Sequence, residues 1–132
     1  MREELTVEDL FGSAGLLPCG PVRWGEACPE HRKGVYAMVI KREVVYVGCT
    51  KGPLARRIRE FYRQKYGKKS PHRGGQEILK MPGTRLVYWS ATENPRAAET
   101  KMLDAFEGHK GRLPRANRKR GDRVPATPKV IG

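Results

Sequence analysis

Gly34-Val35-Tyr36-Ala37-Met38-Val39-Ile40, then Lys41-Arg42-Glu43, then Val44-Val45-Tyr46-Val47 is the stretch that decides the fold. The first run has no polar face, which predicts a strand covered on both sides. The second is rich in β-branched residues and predicts another strand. The polar break between them leaves room only for a short connection, so the two runs form a hairpin. A hairpin that is apolar on both faces needs other elements to cover it.

The flanking sequence supplies those covers. After a turn over 48–52, Pro53 can open a helix at its first position. Leu54, Ile58, Phe61, Tyr62 and Lys65 recur at helical spacing until Gly67. Residues 67–75 read as a basic, Gly-rich loop and 76–81 as a short helix. Thr84-Arg85-Leu86-Val87-Tyr88-Trp89-Ser90 predicts a third strand. Asn94 as N-cap, with Pro95 behind it, opens a helix to about Glu107 that Gly108 ends. Towards the N-terminus, Thr6 with Asp9 three residues on is a helix-start signature ahead of Leu10 and Phe11. Residues 12–33 are rich in Gly and Pro and read as loop. The expected organisation is an N-terminal helix and loop extension over 1–33, a core domain over 34–117 and a basic tail over 118–132. The expected fold class is α+β, with a small three-stranded mixed or antiparallel sheet flanked by helices.

A chain of 132 residues suits one domain with one core. No apolar run exceeds the six residues Val35 to Ile40, far short of the ~20 that span a bilayer. Met1-Arg2-Glu3-Glu4 leads into no apolar signal core, and three cysteines make an odd set for a disulfide scaffold. A reducing, cytoplasmic location with no membrane partner is therefore expected. Cys19, Cys28 and His31 match no strong zinc spacing.

Lys and Arg number 27 against 14 Asp and Glu, a net charge of +13. The charge is uneven: residues 1–30 hold six acids and two bases. Lys51 to Arg73 holds nine Lys or Arg against Glu60 alone, and Lys110 to Lys129 holds eight against Asp122 alone. Runs of this density attract phosphate polymers and bind them by releasing counterions. Nucleic acid is the expected partner, with Arg56, Arg59, Arg63, Lys68, Lys69, Arg73 and Asn117 as candidate contacts.

Three other features carry chemistry. Met102, Leu103 and Phe106 follow Glu99 at helical spacing, which puts a carboxylate on an apolar stripe. Such a group is costly unless it is paired, bound to a metal, or at the stripe's edge reaching solvent or an arginine. Tyr36 and Tyr46 meet across the hairpin, where buried tyrosines commonly serve as core. On a helical wheel Arg57 flanks the stripe of Leu54, Ile58 and Phe61, while Arg56 points away.

Gly34-Val35-Tyr36, Tyr46-Val47-Gly48 and Leu54-Ala55-Arg56-Arg57-Ile58, followed by Glu99 with Leu103 and by Pro114-Arg115-Ala116-Asn117, resemble the GIY-YIG nuclease family. The resemblance spans about residues 34–117 and rests on these elements standing in the right order. It departs at Phe61, where the family usually has His or Tyr, and at Cys49, where a Lys often stands. The stretch between Glu99 and Asn117 is also longer, with 108–111 as the expected insertion.

The resemblance implies a metal-dependent endonuclease that hydrolyses phosphodiester bonds in DNA, duplex or branched. It assigns Glu99 to one divalent ion, Mg²⁺ or Mn²⁺, whose hardness suits carboxylate and phosphate oxygens. It assigns Arg57 to the scissile phosphate as a fork of donors. Tyr36, helped by Tyr46, would position or deprotonate the water. That role requires nearby positive charge to lower a hydroxyl whose ordinary pKa is about 10. Target selection would call on a protein partner or the 1–33 segment. Two other readings stand beside it. One is a basic nucleic-acid-binding module that has this fold and weak or no catalysis. The other is an RNA-associated protein that binds through its tail.

Overall fold

Residues 5–62 and 82–117 are described by a computed structural model, without the side chains of Phe61 and Tyr62. The expected helical residues beyond Tyr62, the loop over 67–75, the short helix over 76–81 and the basic tail lie outside them. So do the candidate contacts Arg63, Lys68, Lys69 and Arg73.

The hairpin forms as read. Strand β2 is Gly34–Ile40 and strand β3 is Glu43–Thr50, paired antiparallel. Every residue of β2 is buried, as an all-apolar strand requires. The connection is tighter than expected. Ile40 pairs with Glu43, and Lys41 and Arg42 alone make the turn at φ of 53° and 68°. Two left-handed residues match the twist of a two-residue hairpin, a position that Asn-Gly fills more easily.

The sheet has four antiparallel strands rather than three, in the order β1-β4-β2-β3. Strand β4 is Arg85–Ala91. The extra strand is β1, Cys19–Arg23, inside the stretch read as loop. Its residues are mostly exposed, so it shows no apolar alternation, and it pairs with the edge that β4 offers. Strand β3 also runs on through Thr50, into residues read as turn.

Helices cover both faces. Helix α1, Val7–Gly12, opens with the expected capping box between Thr6 and Asp9. Helix α2, Leu54–Tyr62, packs Leu54 and Ile58 on the face that carries Tyr36, Met38 and Trp89. Its first amides are satisfied by the loop before β2: the Leu54 N–H donates to the Arg32 carbonyl and the Ala55 N–H to the Glu30 carbonyl. Helix α3, Pro95–Lys110, lays Ala98, Met102, Leu103 and Phe106 on the other face with Leu10 and Phe11 of α1.

Two readings of α3 change. The Asn94 side chain makes no capping hydrogen bond; the Asn94 N–H instead donates to Thr92 Oγ1 at 3.2 Å. Gly108 lies inside the helix, which ends at Gly111 in the left-handed region with φ of 80°. Residues 108–110, expected to be part of an insertion, are therefore the last turn of the helix.

The chain after α3 returns along the outer edge of β3. The Ala116 N–H donates to the Val45 carbonyl at 2.8 Å. Arg112 and Arg115 both donate to Glu43 Oε2, each at 2.9 Å. Two charges of the second basic run are thus engaged in holding this segment. No helix among the described residues is long and apolar enough to cross a membrane.

Candidate active site

The end of β3, residues Gly48 to Thr50, is where the singled-out side chains gather. A bulge in the hairpin arranges this. Val39 pairs with Val44, yet Met38 pairs with Tyr46, so Val45 is the extra residue on β3. Alternation breaks there, and Tyr46 joins Tyr36 on the α2 face while Val44 and Val47 stay on the α3 face. The two tyrosine rings lie 6.1 Å apart and tilted by 39°.

The glycines of the two tripeptides have steric reasons. Gly48 pairs with Tyr36, and a Cβ there would stand 2.7 Å from the Tyr36 hydroxyl and 2.9 Å from Tyr46 Cε2. At Gly34 a Cβ would collide with the Ser90 carbonyl and meet Leu54 Cδ1 at 2.9 Å. The first glycine lets α2 and β4 close on β2. The second makes room for the tyrosine pair.

Arg57 is the inward arginine of α2, as the wheel predicts. Its Nη1 donates to the Cys49 carbonyl at 3.4 Å, and its Nε pairs with Glu60 at 3.5 Å. Burial works against its charge, but Tyr36, Glu60 and Tyr46 together hold its pKa above the ordinary value. Arg56 and Arg59 are exposed on the outer side of the helix.

Tyr36 differs from the expectation set for a base. It is fully buried, and burial, with Tyr46 next, pushes its hydroxyl well above the ordinary tyrosine range. The neighbouring Arg57 pulls the other way and is outweighed. Tyr36 is therefore held with its proton. Tyr46 is only half-buried.

Glu99 reaches the same strand end from the opposite face. It is 3% exposed, so it sits within the stripe rather than at a solvated edge. Cys49 Sγ lies 3.6 Å from Glu99 Oε1. Cys49 thus joins the two faces, with its thiol towards Glu99 and its carbonyl towards Arg57. That link was missed in the sequence, where Cys49 read as a departure from the family pattern. One carboxylate is the least that a hydrated Mg²⁺ ion needs from a protein when substrate phosphates supply the rest. Glu99 meets that minimum. Among the described residues no group of three or more His, Cys, Asp or Glu could hold a metal.

Asn117 does not sit at a binding surface. It is buried, its Oδ1 accepts from the Val47 N–H and its Nδ2 donates to the Val47 carbonyl, both at 2.9 Å. This clip on the open edge of β3 accounts for the residue without a nucleic acid. Comparison with protein-family models, with curated proteins and with solved structures finds no match for this chain.

Proposed function

We propose that the chain is a metal-dependent DNA endonuclease of the GIY-YIG kind. The observation that carries this is the convergence of Tyr36, Tyr46, Arg57 and Glu99 on the last residues of β3, from both faces of the sheet. Phosphodiester hydrolysis needs a positioned water, donors for a pentavalent phosphorane-like transition state and charge for the leaving oxygen. Arg57 supplies a charged donor fork from a rigid helix. Tyr36, buried and kept protonated, packs beside Tyr46 and fixes its position. Tyr46, only half-buried, is the better candidate to accept the water's proton. Glu99 would hold a divalent ion, Mg²⁺ or Mn²⁺, which would supply Lewis-acid charge to phosphate oxygens. Arg56 and Arg59 face outward for duplex or branched DNA.

The test is nicking of supercoiled plasmid with Mg²⁺, with EDTA, and with Glu99→Gln. Cleavage that needs both the ion and Glu99 is expected. DNA binding without cleavage under any divalent ion would leave the second reading, a basic binding module with weak or no catalysis. The burial of the Tyr36 hydroxyl favours that reading.

A further inference from the structure

We infer that the turn end of the hairpin is a second binding surface for the phosphate backbone of duplex DNA, separate from the candidate active site. The class of partner rests on the function proposed above; the surface and its distance from the site do not.

Positive charge runs in a row across this end of the sheet. Arg23 of β1 pairs with Leu86, next to Arg85 of β4. Ile40 pairs with both Arg85 and Glu43, and Lys41 and Arg42 form the exposed turn beside them. Arg112 and Arg115 lie beyond β3, both exposed and both bound to Glu43. From β1 to the segment beyond β3 is four strand spacings, about 19 Å. The acids set into this row are Glu43, shared by two arginines, and Glu26, which accepts from the Arg23 N–H. Charge at the candidate site is more nearly matched: Arg32 pairs with Glu30, Lys33 with Glu93 and Arg57 with Glu60.

The turn is a second, independent observation. Lys41 and Arg42 both take left-handed backbone, which Asn-Gly adopts with less strain. Among the described residues neither enters an ion pair. Two charges that the turn disfavours and the fold does not use point to a partner outside the chain. That partner is met through its backbone rather than its bases. The rings at this end lie under arginines, with Arg85 5.5 Å from the Trp24 centroid and Arg112 5.7 Å from that of Phe106, so they offer no stacking platform. Duplex DNA carries one charge per about 1.7 Å of axis, so a row of this width meets several phosphates. Ile40 and Gly34 stand at opposite ends of β2, six strand steps or about 20 Å apart. A phosphate at the turn is therefore not the one at Arg57.

The experiment replaces the turn, in the full chain, by the pair its geometry prefers: Lys41→Asn with Arg42→Gly. Affinity for a labelled DNA duplex is read by anisotropy over a range of salt, and stability by urea unfolding. The log–log salt slope should flatten by about two, and affinity at about 0.1 M salt should fall about tenfold. The urea midpoint should hold or rise, because the new pair suits the turn. Lys101→Glu makes the same change of two charges on the exposed side of α3 and should keep the wild-type slope. Wild-type binding by the turn variant, or an equal loss in Lys101→Glu, overturns the surface. If the turn variant fails to fold, Lys41→Gln with Arg42→Gln decides by the same readings. Cleavage of plasmid is scored separately. Binding through the turn in a protein that never cleaves sinks the nuclease reading alone. Cleavage by a wild type whose turn variant binds equally well sinks this surface alone, and a wild type that binds no duplex overturns both.

Discussion

Replacing Asn117 tests whether the returning segment holds the edge of β3. Its side chain makes two hydrogen bonds to Val47, each 2.9 Å, in a buried setting. Each is worth about 1 kcal/mol net, and a buried backbone group left without its partner costs about 1–3 kcal/mol. Because β3 is an edge strand, Asn117→Ala lets some water reach Val47, so the lower end applies. The expected loss is about 2 kcal/mol, or about 7 °C in melting temperature for a domain of this size. Asn117→Asp keeps the shape and the acceptor but sets a carboxylate oxygen against the Val47 carbonyl. Burial and that carbonyl raise the introduced carboxyl above its unfolded value of about 3.9. A raised pKa means that its stabilising, protonated form is fully present below about pH 4 and lost as pH rises through the folded value. The gap to wild type should therefore be small in acid and large at pH 7. Urea unfolding of the three proteins at both pH values, followed by circular dichroism, measures this. Equal stability of Asn117→Asp and wild type at pH 7 would refute the reasoning.

Three further outcomes follow from the site. Gly48→Ala should cost about 1–3 kcal/mol, since its Cβ meets the Tyr36 and Tyr46 rings rather than backbone. It should also cut single-turnover cleavage about a hundredfold by displacing them, and a wild-type rate at wild-type stability would sink the steric account. Arg57→Ala should lower single-turnover cleavage of a labelled duplex by about a hundredfold, and Arg56→Ala by no more than a few-fold; the reverse order would place the site on the wrong side of α2. DNA affinity should fall with salt at a log–log slope of about −5 if six phosphates are neutralised. A slope near zero in a filter-binding or anisotropy titration would mean that the charge of +13 serves solubility.

Much of the fold could be read locally. Val, Ile and Tyr around a three-residue polar break announce the hairpin, and Thr6 with Asp9 announces α1, because both signals act over a few residues. The wheel separates Arg57 from Arg56, because an amphipathic helix has only one way to bury Leu54 and Ile58. What escaped depends on partners distant in sequence. Strand β1 contains Gly20 and Pro21 and buries little, and it is a strand because β4 lies beside it. Gly108 looks like a stop, yet it costs a helix interior only about 1 kcal/mol, which the packing of Phe106 and the left-handed Gly111 outweigh.

The candidate site divides along the same line. Sequence alone determined which side chains are present and which lie within one element's reach: the tripeptides, the Arg57 stripe, and Glu99 among apolar neighbours. Tertiary structure alone decided which of them meet. Counted back from the turn without a bulge, Tyr46 would stand opposite Ala37 and face α3, away from Tyr36. The extra residue at Val45 moves it opposite Met38 and onto the Tyr36 face. Packing likewise raised the Tyr36 hydroxyl, chiefly through burial and against the pull of Arg57, and brought Cys49 against Glu99 across 50 residues of chain. The reason is that strand side chains alternate with a period of two, so a slip of one residue exchanges the faces. Burial and pairing across the sheet are set by chains that no local pattern names.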